Sequence, residues 1–114
     1  MTKSTGSRLG KQVAKGGATT VILALLNERP MYGYELIRAI RDRSEGILDF
    51  SEGTVYPILY GLRDRGLVRS EAQESEEGRT RRVYYVTPEG KAALETYLRD
   101  WNRLAEGMRL ALGT

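Results

Sequence analysis

Cysteine and histidine are both absent from this 114-residue chain. Without them there is no disulfide, no thiolate nucleophile, no Cys/His zinc site and no His-dependent catalytic triad. Carboxylate-only chemistry, such as a glycosidase pair or a two-metal site, survives that exclusion. The acidic residues, however, fall mostly on surface-like positions, and so short a chain leaves little room for a deep cleft. Long apolar runs are lacking too. The longest, Val21 to Leu26, has six residues, against the roughly 20 needed to span a bilayer. The first fifteen residues carry Lys3, Arg8, Lys11 and Lys15 and no apolar stretch ahead of a small-residue cleavage site, so they do not read as a signal peptide. These absences lead us to expect a cytoplasmic protein that is not an enzyme, with no membrane span, no metal and no cofactor.

What is present fits one small domain with a helical appendage. Apolar residues make up 40% of the chain, enough for a core, but a chain this size buries a limited share of its surface and would gain from self-association. The net charge is +3 and the isoelectric point is near 9.3. The basic residues gather in the N-terminal arm and around Arg79, Arg81 and Arg82, and a dimer would double the total. There is no internal repeat and no low-complexity block.

The pattern divides the chain into a flexible basic arm (1–12), a compact domain (13–87) and a C-terminal helix (88–114). Residues 18–27 read as a buried helix stopped by Arg29-Pro30. Residues 33–43 place Leu36, Ile37 and Ile40 on one face of an amphipathic second helix. A third helix is expected from its N-cap Ser51 to about Arg65, with Gly66 as its stop. Val55, Ile58, Leu59 and Leu62 form its inner face. Gly53, Pro57, Tyr60, Gly61 and Asp64 occupy the outer one, with Thr54 and Tyr56 at its margins. A surface helix rarely spends its outward side on Gly, Pro and Tyr. Gly53 without a Cβ and Pro57 without an N–H suit close approach to a partner.

The period then changes from 3.6 to 2. Residues 67–72 and 82–86 read as two short strands, and the charged segment 73–81, with Gly78, as the loop between them. Thr87, Pro88 and Glu89 supply an N-cap, a first-turn proline and a first-turn acid for a helix running to about 110–112. Leu94, Leu98, Trp101, Ala105, Met108 and Leu112 form a heptad-type seam along it, flanked by Tyr97, Leu104 and Ala111. A second copy of the chain is the simplest partner for that seam. The fold class expected is therefore mainly α with a two-stranded β-hairpin, a winged helix-turn-helix plus one long C-terminal helix.

Three segments, Pro30 to Leu36, Gly53 to Leu59 and Gly78 to Tyr85, resemble in order and spacing three blocks of the PadR-type transcriptional regulators. Thr87, Pro88 and Gly90 look like that family's next signature, and the resemblance runs from about Val13 to the end. The single helix after the hairpin resembles the short branch, in which one C-terminal helix per subunit mediates dimerisation. The resemblance implies a homodimeric, sequence-specific repressor of double-stranded DNA. It also implies release by an aromatic or drug-like effector in a pore between subunits, where Trp101 falls at the position of a lining tryptophan. Two features depart from the family pattern. Tyr60 stands where a smaller polar or histidine side chain is expected, and Glu71, Glu74, Glu76 and Glu77 precede the wing arginines.

In that frame Ser51, Gly53, Thr54, Tyr56, Pro57 and Tyr60 are the candidate reading surface, and Arg79, Arg81 and Arg82, placed at the hairpin tip, the phosphate grip. Tyr56 and Tyr60 could instead fold back as cover on the core, and Thr54 could simply extend the cap. Tyr32 and Tyr34 are expected to pack between the first two helices, with Tyr34 able to reach a phosphate. Leu94, Tyr97, Leu98, Trp101, Ala105 and Met108 are the candidate dimer and effector surface, Trp101 being either a ligand platform or interface core. Two rival readings use the same elements: a winged helix that binds only proteins, and a small-molecule carrier or minor enzyme built around the dimer pore.

Overall fold

The computed structural model describes the backbone of residues 8–114 and the side chains from Gly16 onward. In chain order the elements are α1 (Arg8–Glu28), β1 (Met31–Tyr32), α2 (Gly33–Arg43), α3 (Glu52–Asp64), β2 (Val68–Glu74), β3 (Thr80–Val86) and α4 (Pro88–Leu112). Residues 1–7 of the expected basic arm, with Lys3, lie outside the described residues, as do the side chains of Arg8, Lys11 and Lys15. The backbone of residues 8–12 forms the opening turns of α1.

The sheet has three strands, not two. Its order is β1-β3-β2, antiparallel throughout, with Met31 opposite Tyr84 and Tyr32 opposite Val83. Pro30 disfavours the helical conformation at Arg29 and so ends α1, and Met31 and Tyr32 then pair with β3 as the extra strand. Two residues are too few to show a period of 2, so this strand leaves no pattern in the sequence. The hairpin strands also run further than alternation suggested, pairing as far as Glu74 with Thr80. Residues 75–79 close it. The Ser75 N–H donates to the Arg79 carbonyl at 2.7 Å, the Ser75 hydroxyl accepts from the Arg79 N–H, and Gly78 takes a left-handed φ of 79°.

The core is one cluster. Ile22, Leu23 and Leu26 of α1, Leu36 and Ile40 of α2, and Val55, Leu59 and Leu62 of α3 meet Val68 and Tyr84 of the sheet. The third helix ends as its sequence predicts. Gly66 (φ 75°) donates to the Arg63 carbonyl and Leu67 to that of Leu62, while the Leu62 and Leu67 side chains are both buried. This is the Schellman arrangement with its apolar contact.

Helix α4 is fastened at its root and open at its far end. Thr87 accepts the Gly90 N–H at 3.0 Å, donates its hydroxyl to the Gly66 carbonyl at 2.7 Å, and donates its own N–H to Leu67 at 3.1 Å. A Cβ on Gly90 would lie 2.0 Å from the Leu67 carbonyl oxygen, so only glycine allows α4 to seat this closely. Leu94 is buried within its own chain at 6% exposure, and every residue from Leu98 onward is exposed. Leu94 therefore belongs to the domain core and not to a surface offered to a partner. The seam open to solvent begins with Leu98.

Candidate nucleic-acid interface

The third helix turns Val55, Ile58, Leu59 and Leu62 inward and leaves Ser51, Gly53, Pro57 and Tyr60 exposed. Ser51 has the extended backbone of an N-cap (φ −85°, ψ 167°), but its side chain makes no capping bond; its hydroxyl lies 3.4 Å from that of Thr54. Pro57 stands inside the helix. It lacks the N–H that would reach back to Gly53, and both residues lie on the solvent side.

Tyr56 is half-buried, packed against the core and over Gly33 at the start of α2. Its ring centroid lies 6.1 Å from that of Tyr60, which is 45% exposed. Burial raises the Tyr56 phenol above its ordinary value, with the Glu52 charge adding to the effect. Burial likewise raises Tyr84, which sits on β3 beneath the cleft, while Arg63 and Arg82 pull it the other way. Tyr56 thus serves as core cover along part of its ring, whereas Tyr60 stays on the solvent side with Arg63 over its ring.

The wing arginines do not all sit at the tip. Only Arg79 lies in the turn; Arg81 and Arg82 are on β3, opposite Gln73 and Ala72. The reason is that the strands extend into the segment read as loop. Arg81 places its guanidinium 4.6 Å from the centre of the Tyr32 ring and comes within 3.6 Å of Glu77. Arg82 donates to the Ser70 hydroxyl at 3.1 Å. Tyr32 is thereby a strand residue under Arg81, and Tyr34, 52% exposed, does not pack between α1 and α2.

Between α2, α3 and β3 opens a cleft of about 690 Å³, lined by Arg38, Arg63, Arg79, Arg81 and Arg82 together with tyrosines, and by no carboxylate. Arg38 and Arg63 were not singled out in the sequence. The signal was there, as Tyr34 precedes Arg38 by four residues and Tyr60 precedes Arg63 by three, spacings that stack neighbours on a helix.

A second hollow, about 510 Å³ and mostly apolar, lies on another face of the molecule. Gly17, Val21 and Leu25 of α1, Ile40 of α2, and Leu98 and Trp101 of α4 contribute to it. The connection between α2 and α3 adds Leu48 and Phe50, which periodicity could not place. Trp101 is 42% exposed, and its indole lies 3.5 Å from where a Cβ on Gly17 would stand. Tyr97, half-buried one turn earlier, accepts a hydrogen bond from Arg65 at 2.9 Å. Ala105 and Met108 are exposed further along. Among the described residues no group of carboxylates could hold a metal ion, and no helix is long and apolar enough to cross a membrane.

Three helices, a sheet ending in a basic hairpin, and a third helix whose outer face is unpacked define a DNA-binding winged-helix fold of the kind found in transcriptional regulators. The chain matches the transcriptional regulator PadR-like family over residues 22–96, and it belongs to that family. It is 49% identical over 55 residues to the transcriptional regulator Rv3488 of Mycobacterium tuberculosis, a stretch covering 48% of this chain and 50% of that one. Among solved structures it resembles a transcriptional regulator from Clostridium thermocellum, with a TM-score of 0.79 and 28% identity, covering 86% of this chain and 95% of that one. It also resembles a PadR family transcriptional regulator from Eggerthella lenta, with a TM-score of 0.78 and 27% identity over 93% and 90% of the two chains. Family and neighbours are transcriptional regulators, not enzymes.

Proposed function

We infer that this protein is a homodimeric repressor that reads double-stranded DNA in the cytoplasm and is released by an aromatic effector. The observation that carries the DNA reading is the outer face of α3. Gly53, Pro57 and Tyr60 stay outside the core beside a hairpin that bears Arg79, Arg81 and Arg82. In a winged helix such a face enters the major groove while the wing follows the backbone. Ser51 and Thr54 stand at the helix N-terminus, where hydroxyls and N–H groups favour phosphate.

The self-association reading rests on α4, whose Leu98, Trp101, Leu104 and Met108 are each between 41% and 52% exposed. A stripe of that kind is paired across a two-fold axis in the simplest assembly. The effector reading rests on Trp101 at the mouth of the apolar hollow. A flat compound stacked on that indole would shift the relation between the two DNA-binding domains, and with it their fit to half-sites about 34 Å apart.

The deciding experiment is anisotropy of the labelled upstream DNA of the protein's own coding region, titrated with the full chain against excess nonspecific duplex. Binding that survives competitor and weakens steeply with salt supports the reading. Equal binding to specific and unrelated duplex counts against sequence-specific control. Quenching of Trp101 by candidate aromatic compounds, read together with loss of the DNA signal, tests release.

A further inference from the structure

Among the described residues four arginines lie over tyrosine rings, and three of the pairs converge on one cleft. Arg38 is 5.9 Å from the Tyr34 ring on α2, Arg63 is 5.2 Å from Tyr60 on α3, and Arg81 is 4.6 Å from Tyr32 across β3 and β1. Each of three separate surfaces thus supplies one ring-backed guanidinium to the same 690 Å³ space, which Arg79 and Arg82 also line and which has no carboxylate in its lining. The only carboxylates near these arginines among the described residues are Asp64, 3.8 Å from Arg63, and Glu77, 3.6 Å from Arg81. Arg41, outside the cleft, stands 3.9 Å from Asp49, but three other arginines are bound to acids at much closer range. Arg29 meets Glu35 at 2.8 Å, Arg43 meets Glu28 at 2.6 Å and Arg109 meets Glu106 at 2.6 Å.

The contrast matters because a ring and a carboxylate hold an arginine in different ways. A carboxylate occupies the donor edge of the fork and cancels the charge. An aromatic face supports the guanidinium from beneath and leaves its five in-plane N–H donors for another acceptor. Arginines oriented in this way, concentrated around a cleft that no carboxylate lines, match a phosphate group, whose oxygens accept the fork bidentately.

We propose that Arg38 and Arg63, together with Arg81, form a phosphate seat between α2, α3 and the wing, occupied by the sugar-phosphate backbone of the bound duplex. The seat rests on the DNA-binding reading above and adds to it two residues that lie outside the face reading the bases. Because its three cations come from three elements, it holds the backbone only when α2, α3 and β3 keep their mutual arrangement. It fixes register on the duplex and carries no base preference of its own.

The experiment is a salt series of anisotropy titrations with the full chain, using a fluorescein-labelled duplex of mixed sequence and the upstream DNA in parallel. Arg38→Gln and Arg63→Gln are each expected to lower the slope of log affinity against log salt by about one, equally on both duplexes. A slope change of 0.9 is roughly eightfold in affinity for each tenfold change in salt. Arg69→Gln is the control: Arg69 stacks on Tyr85 at 4.1 Å but is ion-paired with Glu71, and it lies outside the cleft. Tyr34→Leu and Tyr60→Leu remove the support and keep the charge, so affinity falls while the slope stays. Circular dichroism melting of each variant verifies its fold. If Arg38→Gln and Arg63→Gln match Arg69→Gln while the wild type binds with a steep slope, the seat is overturned and the DNA reading stands. If the wild type binds neither duplex at low salt, both fall. A third arm adds inorganic pyrophosphate at matched ionic strength. Failure to displace the duplex supports the backbone as the occupant, and efficient displacement overturns that commitment in favour of a free anion.

Discussion

The hydroxyl of Tyr56 lies 2.4 Å from where a Cβ on Gly33 would stand, and two further ring atoms lie within 2.6 Å of it. The two residues come from separate sequence blocks, and this contact is where α3 rests on the first turn of α2. Gly33→Ala must displace the ring. We expect overpacking of this kind to cost about 1–3 kcal/mol, and Gly33→Ala/Tyr56→Ala to lose less than the sum of the single variants. Urea denaturation of the three variants checks this. Additive losses would mean that the contact does not exist in solution.

Gly90 gives a second test with a rigid neighbour. In an exposed helix, alanine in place of glycine gains about 1 kcal/mol. Here the added Cβ would meet the Leu67 carbonyl oxygen at 2.0 Å and Val86 Cγ1 at 2.8 Å, and backbone cannot swing aside as a side chain can. Gly90→Ala is expected to lower the melting temperature, a reversal of sign that thermal denaturation reads directly.

Leu94 and Met108 lie on one stripe and have opposite surroundings, 6% and 52% exposed. Leu94→Ala should destabilise the subunit by about 2–5 kcal/mol, as deletion of a buried leucine does. Met108→Asp should leave the melting of the winged domain nearly unchanged and shift the gel-filtration mass from two subunits towards one. If both variants alter only stability, the far end of α4 is not an interface.

The raised phenols of Tyr56 and Tyr84 set a pH dependence at the alkaline end. As pH passes the ordinary tyrosine value of about 10, the unfolded chain ionises first while the folded chain keeps its protons. Stability is therefore fully present below about pH 10, falls as pH rises through the window up to the folded-state values, and then levels. Denaturation midpoints at pH 9, 10 and 11 should fall in that order. The fall should be shallower in Tyr84→Phe.

Much of this fold can be read from the residues alone. The second helix runs from Gly33 to Arg43 as its apolar spacing requires, and Gly66 and Thr87 mark the helix end and start that they occupy. What could not be read depends on contacts distant in sequence. Met31 and Tyr32 become a strand only because β3 is beside them. The first helix, expected over residues 18–27, begins at Arg8 and passes through Gly16 and Gly17, and the indole of Trp101 packs against Gly17. The outer face of α3 was legible because glycine and proline are odd choices there. The tyrosine spacing of Arg38 and Arg63 was legible too, but their convergence on one cleft was not, since it depends on how α2, α3 and β3 are placed relative to one another.

The Thr87 junction gives the molecule the mechanics of a tiller. Helix α4 has 25 residues, so its arm is roughly 37 Å long at about 1.5 Å per residue. Thr87 ties its root to the end of α3 by two hydrogen bonds, to the Gly66 and Leu67 carbonyls, and caps its first turn by accepting from Gly90. A push near the free end is therefore transmitted to the exit of α3. On the DNA-binding reading, a small displacement far from the α3 face would steer its angle, and a mutation that loosens Thr87 would leave both ends intact while disconnecting one from the other.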